Sequence, residues 1–234
     1  MRRLLATIAC DVRLQMRNGF YYAGGFVAVI YIIVLRQLPP ELVRAQMPLI
    51  VLSNLVMNTF FFIAGLVLLE KGEGTLWARV VTPLRHSEYL ISKVVSLGIL
   101  SVLESTFIIV AGIGLDMQLL PLLLGLILAV PIYTLTGFIA VSKYDSINEY
   151  LFPSFLYTCA FIPPFLQSVG LIDSWVMYLH PLQGAFVLAK ASFGPIEGRE
   201  WAYGIGSSVL WIWLFSVWSM RSFGRFIVAT EGAR

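Results

Sequence analysis

The densest group of chemically capable residues in this 234-residue chain is Glu70-Lys71-Gly72-Glu73-Gly74-Thr75-Leu76, followed by Thr82-Pro83, Glu88 and Lys93. The spacing predicts a polar loop and then a short helix from about Gly74, with Leu76, Trp77, Val80, Val81 and Leu84 on one face and Arg79 and Arg85 elsewhere. Pro83 ends that helix early. A short amphipathic helix between oily segments cannot hide its apolar stripe by itself. It needs lipid headgroups or the groove of a partner protein, and the partner groove is the sharper expectation.

Glu104 is the one carboxylate well inside an apolar run. Ionisable groups at membrane depth are costly enough that each is by default a functional candidate. It either faces a pathway, holding a cation or proton, or joins helices through a hydroxyl such as Thr134, Thr136 or Tyr133. Asn54 and Asn58 lie one turn apart with Ser53 close by, a polar stripe that either lines a pathway or holds two helices together. Cys10 and Cys159 have no metal or redox spacing, and His86 and His180 stand far apart, so no zinc site or disulfide is expected. Phosphate-cradling Gly-rich loops ending in Gly-Lys-Ser/Thr are absent, as are Gly-x-Ser-x-Gly and His-Glu-x-x-His. The expectation is a chain without catalysis or a cofactor of its own.

These residues must be positioned by membrane helices, because 59% hydrophobic and 12% charged residues leave too little polar surface for a soluble globule. Apolar runs cover Phe20 to Leu38, Met47 to Leu69, roughly Val94 to Leu115, Leu119 to Val141, Tyr150 to Ile172 and Trp201 to Met220. Each is near the ~20 residues a helix needs to cross hydrocarbon. Without period-2 alternation a barrel is excluded, so the expected fold is all-α, six transmembrane helices in one domain covering 1–234. Both termini inside places twelve basic residues on the inner side and four, Arg36, Arg44, Lys190 and Arg199, on the outer. That orientation makes segment 70–88 cytosolic. The net charge of +3 collects at membrane boundaries, which disfavours nucleic acid as a partner.

Residues 1–19 read as an interfacial helix on membrane lipid, with Leu4, Leu5, Ile8, Val12 and Met16 on one arc and Arg2, Arg3, Arg13 and Arg17 on the next. It is either a lever or a passive anchor. Segment 173–200 contains Trp175 to Ala189, apolar but broken by Pro181, and reads as an outer re-entrant hairpin or surface helix. A crossing there changes the basic count only to eleven against five, so charge does not decide it. Pro131, Pro153 and Pro163-Pro164 are expected to bend their helices. Phe60, Phe61 and Phe62 face either lipid or substrate.

The order of charged stretch, Gly74-Thr75-Leu76, Thr82-Pro83, Glu88 and Lys93 after the second span resembles the permease subunits of type-2 ATP-binding cassette exporters, the compact drug-export permeases of fluoroquinolone type above all. The motif covers about two dozen residues, and the span count extends the likeness over the whole chain. Trp77 is a departure, since such permeases often carry another acid there. The resemblance implies a cell-membrane half-transporter of bacteria or archaea that pairs with a second permease, in a homodimer or heterodimer, and with an ATPase subunit holding ATP and Mg. It implies motor coupling through Glu70, Glu73, Gly74, Thr75, Leu76, Trp77, Val80, Thr82, Pro83 and Glu88, and an outer gate at His180 and Pro181. The cargo is then a hydrophobic or amphipathic drug-like molecule, or a lipid, peptide or glycan. The competing classes are a proton-coupled secondary transporter using Glu104 and a membrane enzyme or assembly factor; the absence of an internal repeat weighs against the first.

Overall fold

The computed structural model describes residues 2–76, 85–114, 117–172 and 174–225, and every regular element among them is helical. Helix α1 (Arg2–Arg17) meets α2 (Phe20–Leu35) at 64°. The bend falls on Gly19, whose φ of 81° lies in the left-handed region that glycine enters without steric cost. A single continuous helix then runs from Pro40 to Gly72: α3 (Pro40–Leu55), a π-helical turn (Val56–Phe61) and α4 (Phe62–Gly72). Next come α5 (His86–Ile113), apolar apart from His86, Glu88, Lys93, Glu104 and scattered hydroxyls, and α6 (Leu119–Val141), which holds no charged residue.

The expected fifth span does not form one rod. It divides into α7 (Ile147–Cys159) and α8 (Ile162–Ser168), because Pro163 and Pro164 cannot donate to a preceding turn but fit the first turn of a new helix. After it, Trp175–Leu179 makes a 3-10 turn, α9 (Gln183–Lys190) follows, and a 3-10 turn (Ala191–Phe193) leads to α10 (Gly198–Phe223). Four of the described helices are long and apolar enough to cross a membrane, and a fifth if α1 and α2 are taken as one bent span. The break at Gly19 separates α1 from α2, and the one at Ala160–Phe161 divides the expected fifth span.

α6 is the hub, packed against α5, α9, α10 and the π-helical turn. Small residues permit the close approaches, as expected where van der Waals packing rather than dehydration joins helices. A Cβ on Gly137 would stand 2.6 Å from Ile63 and 2.7 Å from the Phe60 carbonyl. One on Gly184 would stand 2.7 Å from the Gly204 carbonyl, which brings α9 against α10. The phenylalanine cluster belongs to this core: Phe60 and Phe62 are buried, Phe60 meets Phe161 edge-on at 5.3 Å, and Phe62 meets Phe20 at 5.0 Å.

Candidate functional site

The charged island is a joint between helices before it is a loop. α4 continues to Gly72, so Glu70, Lys71 and Gly72 are helical where the sequence pointed to polar loop. The tail of an apolar helix carries Glu70 inward, and the Lys93 Nζ binds it at 2.5 Å and Asp11 of α1 at 3.0 Å. All three side chains are fully buried. Tyr89 donates its hydroxyl to Glu70 at 2.7 Å, Ser92 donates to Asp11, and Gln15 Nε2 donates to Ser96 at 2.8 Å. Since burial of these charges costs several kcal/mol each unless they are paired and hydrogen-bonded, the cluster fixes α1, α4 and α5 in one arrangement.

The neighbouring residues extend that joint. Lys71 donates to the carbonyls of Ser142 at 2.9 Å and Tyr144 at 2.6 Å, placing a cation at the open C-terminal end of α6. Glu73 pairs with Arg17 at 3.9 Å on the surface. Gly74, with φ 68°, reverses the chain, and the Thr75 hydroxyl returns to the Glu70 carbonyl at 3.3 Å ahead of the buried Leu76. Glu88 accepts from the Arg85 backbone N–H at 3.0 Å, closing the first turn of α5. Trp77, Val80, Thr82 and Pro83 lie outside the described residues.

Deeper in the bundle, Glu104 sits on α5 opposite the π-helical turn and accepts a hydrogen bond from Asn58 Nδ2. Its partner is thus an amide and not the hydroxyls anticipated: Thr134 and Thr136 donate to carbonyls of their own helix, and the Tyr133 hydroxyl has no partner among the described residues. Asn54 also faces the carboxyl. On the α2 side a Cβ at Gly24 would come within 2.7 Å of Glu104 Oε2, so glycine is what admits the carboxyl. α2, the π turn and α5 therefore meet on one buried polar group.

His180 is brought to the break between α7 and α8. Its Nε2 lies 2.8 Å from the Ala160 carbonyl, and its Nδ1 accepts the Leu182 N–H at 3.2 Å. Those two contacts select the neutral ring with the proton on Nε2. Burial lowers its pKa from the ordinary value, against the opposing effect of the Ala160 carbonyl. Pro181 lies beside it, lining the same cavity as Phe161.

Asp11 and Gln15 are the residues that sequence reasoning missed. The helical wheel of α1 sorted apolar from basic positions, and Leu5 and Met16 do face outward, at 64% and 53% exposure. The third face is the one that packs. Its signal was present as an i, i+4 polar pair, Asp11 and Gln15, opposite Ser92, Lys93 and Ser96 on the first turns of α5.

Apolar helices of spanning length, joined by buried polar contacts at their ends, define a multi-pass helical membrane protein. The chain belongs to the fluoroquinolones export permease protein family, which it matches over residues 2–231. Two proteins from two strains of Mycobacterium tuberculosis, each named a fluoroquinolones export permease protein, are 30% identical to it over 237 residues, covering 99% of this chain and 99% of each relative. The likeness to compact drug-export permeases drawn from the motif is borne out at the level of the family.

Proposed function

We propose that this chain is the transmembrane subunit of an ATP-driven exporter that carries a hydrophobic or amphipathic drug-like molecule, of the fluoroquinolone class, out of the cell. The observation that carries the reading is the buried Asp11–Lys93–Glu70 joint. It binds together the helices on both sides of segment 77–84, so a push delivered to that segment from a cytosolic ATPase moves α1, α4 and α5 as one body. A chain that supplied its own energy has no need of such a transmitter.

On this reading 1–234 is one permease domain of six membrane helices in the inner membrane, the fifth broken at Ala160–Phe161, with both termini cytoplasmic. Residues 1–19 lie at the inner interface, 70–88 form the coupling segment and 173–200 dip in from outside. Glu70, Glu73, Gly74, Thr75, Leu76, Trp77, Val80, Thr82, Pro83 and Glu88 form or support the surface for an ATP-binding cassette subunit, which holds ATP and Mg, and a second permease completes the transporter. His180 and Pro181 act as the outer gate, since the turn they form lies between an aromatic cavity and an outer vestibule lined by Tyr178, Gln183 and Arg44. Glu104 and Asn58 join α5 to the π-helical turn and stand off the route.

Co-purification tests this. The chain expressed with its ATPase should bring that subunit down from detergent, and a Trp77→Ala, Val80→Asp variant should insert normally yet lose it, since buried aromatic anchors dominate such interfaces. Equal recovery of the ATPase with the double variant refutes docking at this segment.

A further inference from the structure

Between α6, α7 and α10 lies a cavity of about 680 Å³, within the range of small-molecule sites. Its walls are aromatic: Phe60, Tyr157, Phe161, Phe215 and Trp218. Two cations, Lys143 and Arg225, line it just beyond the C-terminal ends of α6 and α10. Those ends lie on the same side of the bundle, because α6 and α10 run parallel: Gln118 N–H reaches the Ser192 carbonyl before α10, and Ser219 Oγ reaches the Leu135 carbonyl near its end. The cavity is therefore polarised, with stacking surfaces along its length and positive charge at one end.

Lys143 is the informative member. Its Nζ stands 5.3 Å from the ring centroids of both Tyr144 and Tyr157. Among the described residues it has no carboxylate partner, whereas Lys71 and Lys93 are each held by carboxylates. With no carboxylate against it, an ammonium steadied by two tyrosine side chains at the mouth of an apolar cavity keeps its charge for an incoming anion. Tyr157 serves both purposes, steadying the cation and contributing to the wall.

Resting on the export reading above, we infer that this cavity is the site where the transported molecule binds, and that it selects planar aromatic carboxylates: Lys143 takes the carboxylate while Phe161, Phe215 and Trp218 hold the ring system. A fluoroquinolone has that chemistry. A neutral hydrophobe has only half of it.

The test uses the full chain in phosphatidylcholine nanodiscs, with norfloxacin and its methyl ester as probes and fluorescence anisotropy as readout. Lys143→Gln should weaken norfloxacin on the order of tenfold, the loss of one charge-assisted contact, and leave the ester unchanged. Lys143→Arg should restore the acid, and Trp218→Ala should weaken both probes. Unchanged norfloxacin binding in Lys143→Gln overturns the assignment, as does an equal loss for acid and ester. Displacement of norfloxacin by phosphatidylglycerol from wild type but not from Lys143→Gln makes the cavity a lipid site and also overturns it. Failure here is separable from failure of the export reading, because ATP-dependent export by wild-type vesicles is measured without reference to this cavity.

Discussion

Replacing Lys93 by methionine removes the one ammonium shared by two fully buried carboxylates, at 2.5 Å from Glu70 and 3.0 Å from Asp11. At an effective dielectric near 20, each contact is worth roughly 6 kcal/mol of Coulomb energy before desolvation. Dehydrating three ions consumes most of that, at several kcal/mol apiece, so the intact cluster contributes little net stability. Its removal is another matter, because the carboxylates stay buried when their counter-ion has gone. Lys93→Met should therefore cost about 3–5 kcal/mol. The assay is unfolding by sodium dodecyl sulfate in mixed micelles, followed by far-ultraviolet circular dichroism. A neutral set, Asp11→Asn, Glu70→Gln and Lys93→Met together, keeps the shapes and the Tyr89 and Ser92 hydrogen bonds, and should recover most of the loss. A single variant within about 1 kcal/mol of wild type refutes the reasoning, because loss of a buried partner is expected to cost several times that. So does a triple variant no more stable than the single.

Glu104→Gln keeps an acceptor for Asn58 and should preserve folding and export, whereas Glu104→Leu, leaving that amide unpartnered, should cost about 1–3 kcal/mol in the same unfolding assay; a well-folded Gln variant that no longer exports moves Glu104 onto the route. Because burial lowers the His180 pKa, the neutral ring's contribution to stability is fully present above the ordinary value near 6.5 and is lost as the pH falls through the folded value. Melting temperatures measured from about pH 8 down to about pH 5 should fall less for His180→Gln than for wild type, and parallel curves contradict a stabilising role for the neutral His180 ring.

The fourth span was legible to the residue, Leu119 to Val141, since an unbroken apolar run flanked by polar residues admits one reading. Elements whose ends carry polar residues were harder. Helix Pro40–Gly72 begins seven residues before the apolar run at Met47 and carries Glu70 into the protein, because what ends a helix is the fate of its side chains and not their polarity. Asp11 was invisible for the same reason: a carboxylate on a basic interfacial helix looks solvated until its partner, distant in sequence, is known. Glu104, Asn54 and Asn58 stand out in the sequence as polar groups in oil, yet the partner of Glu104 is the Asn58 amide and not a hydroxyl, since threonine hydroxyls on a helix turn back to their own carbonyls. His180 and Pro181 are close to Ala160 only through the break at the paired prolines, which the run of apolar residues conceals.

The source of energy is the question on which everything else depends. Inside-out vesicles from cells expressing this chain with its ATPase should accumulate norfloxacin only when ATP is supplied and both chains are present. Uptake should stop when ATP is replaced by a non-hydrolysable analogue and persist when a protonophore abolishes the proton gradient. Accumulation that needs no ATPase and collapses with the protonophore contradicts the reading and makes the chain a proton-coupled transporter.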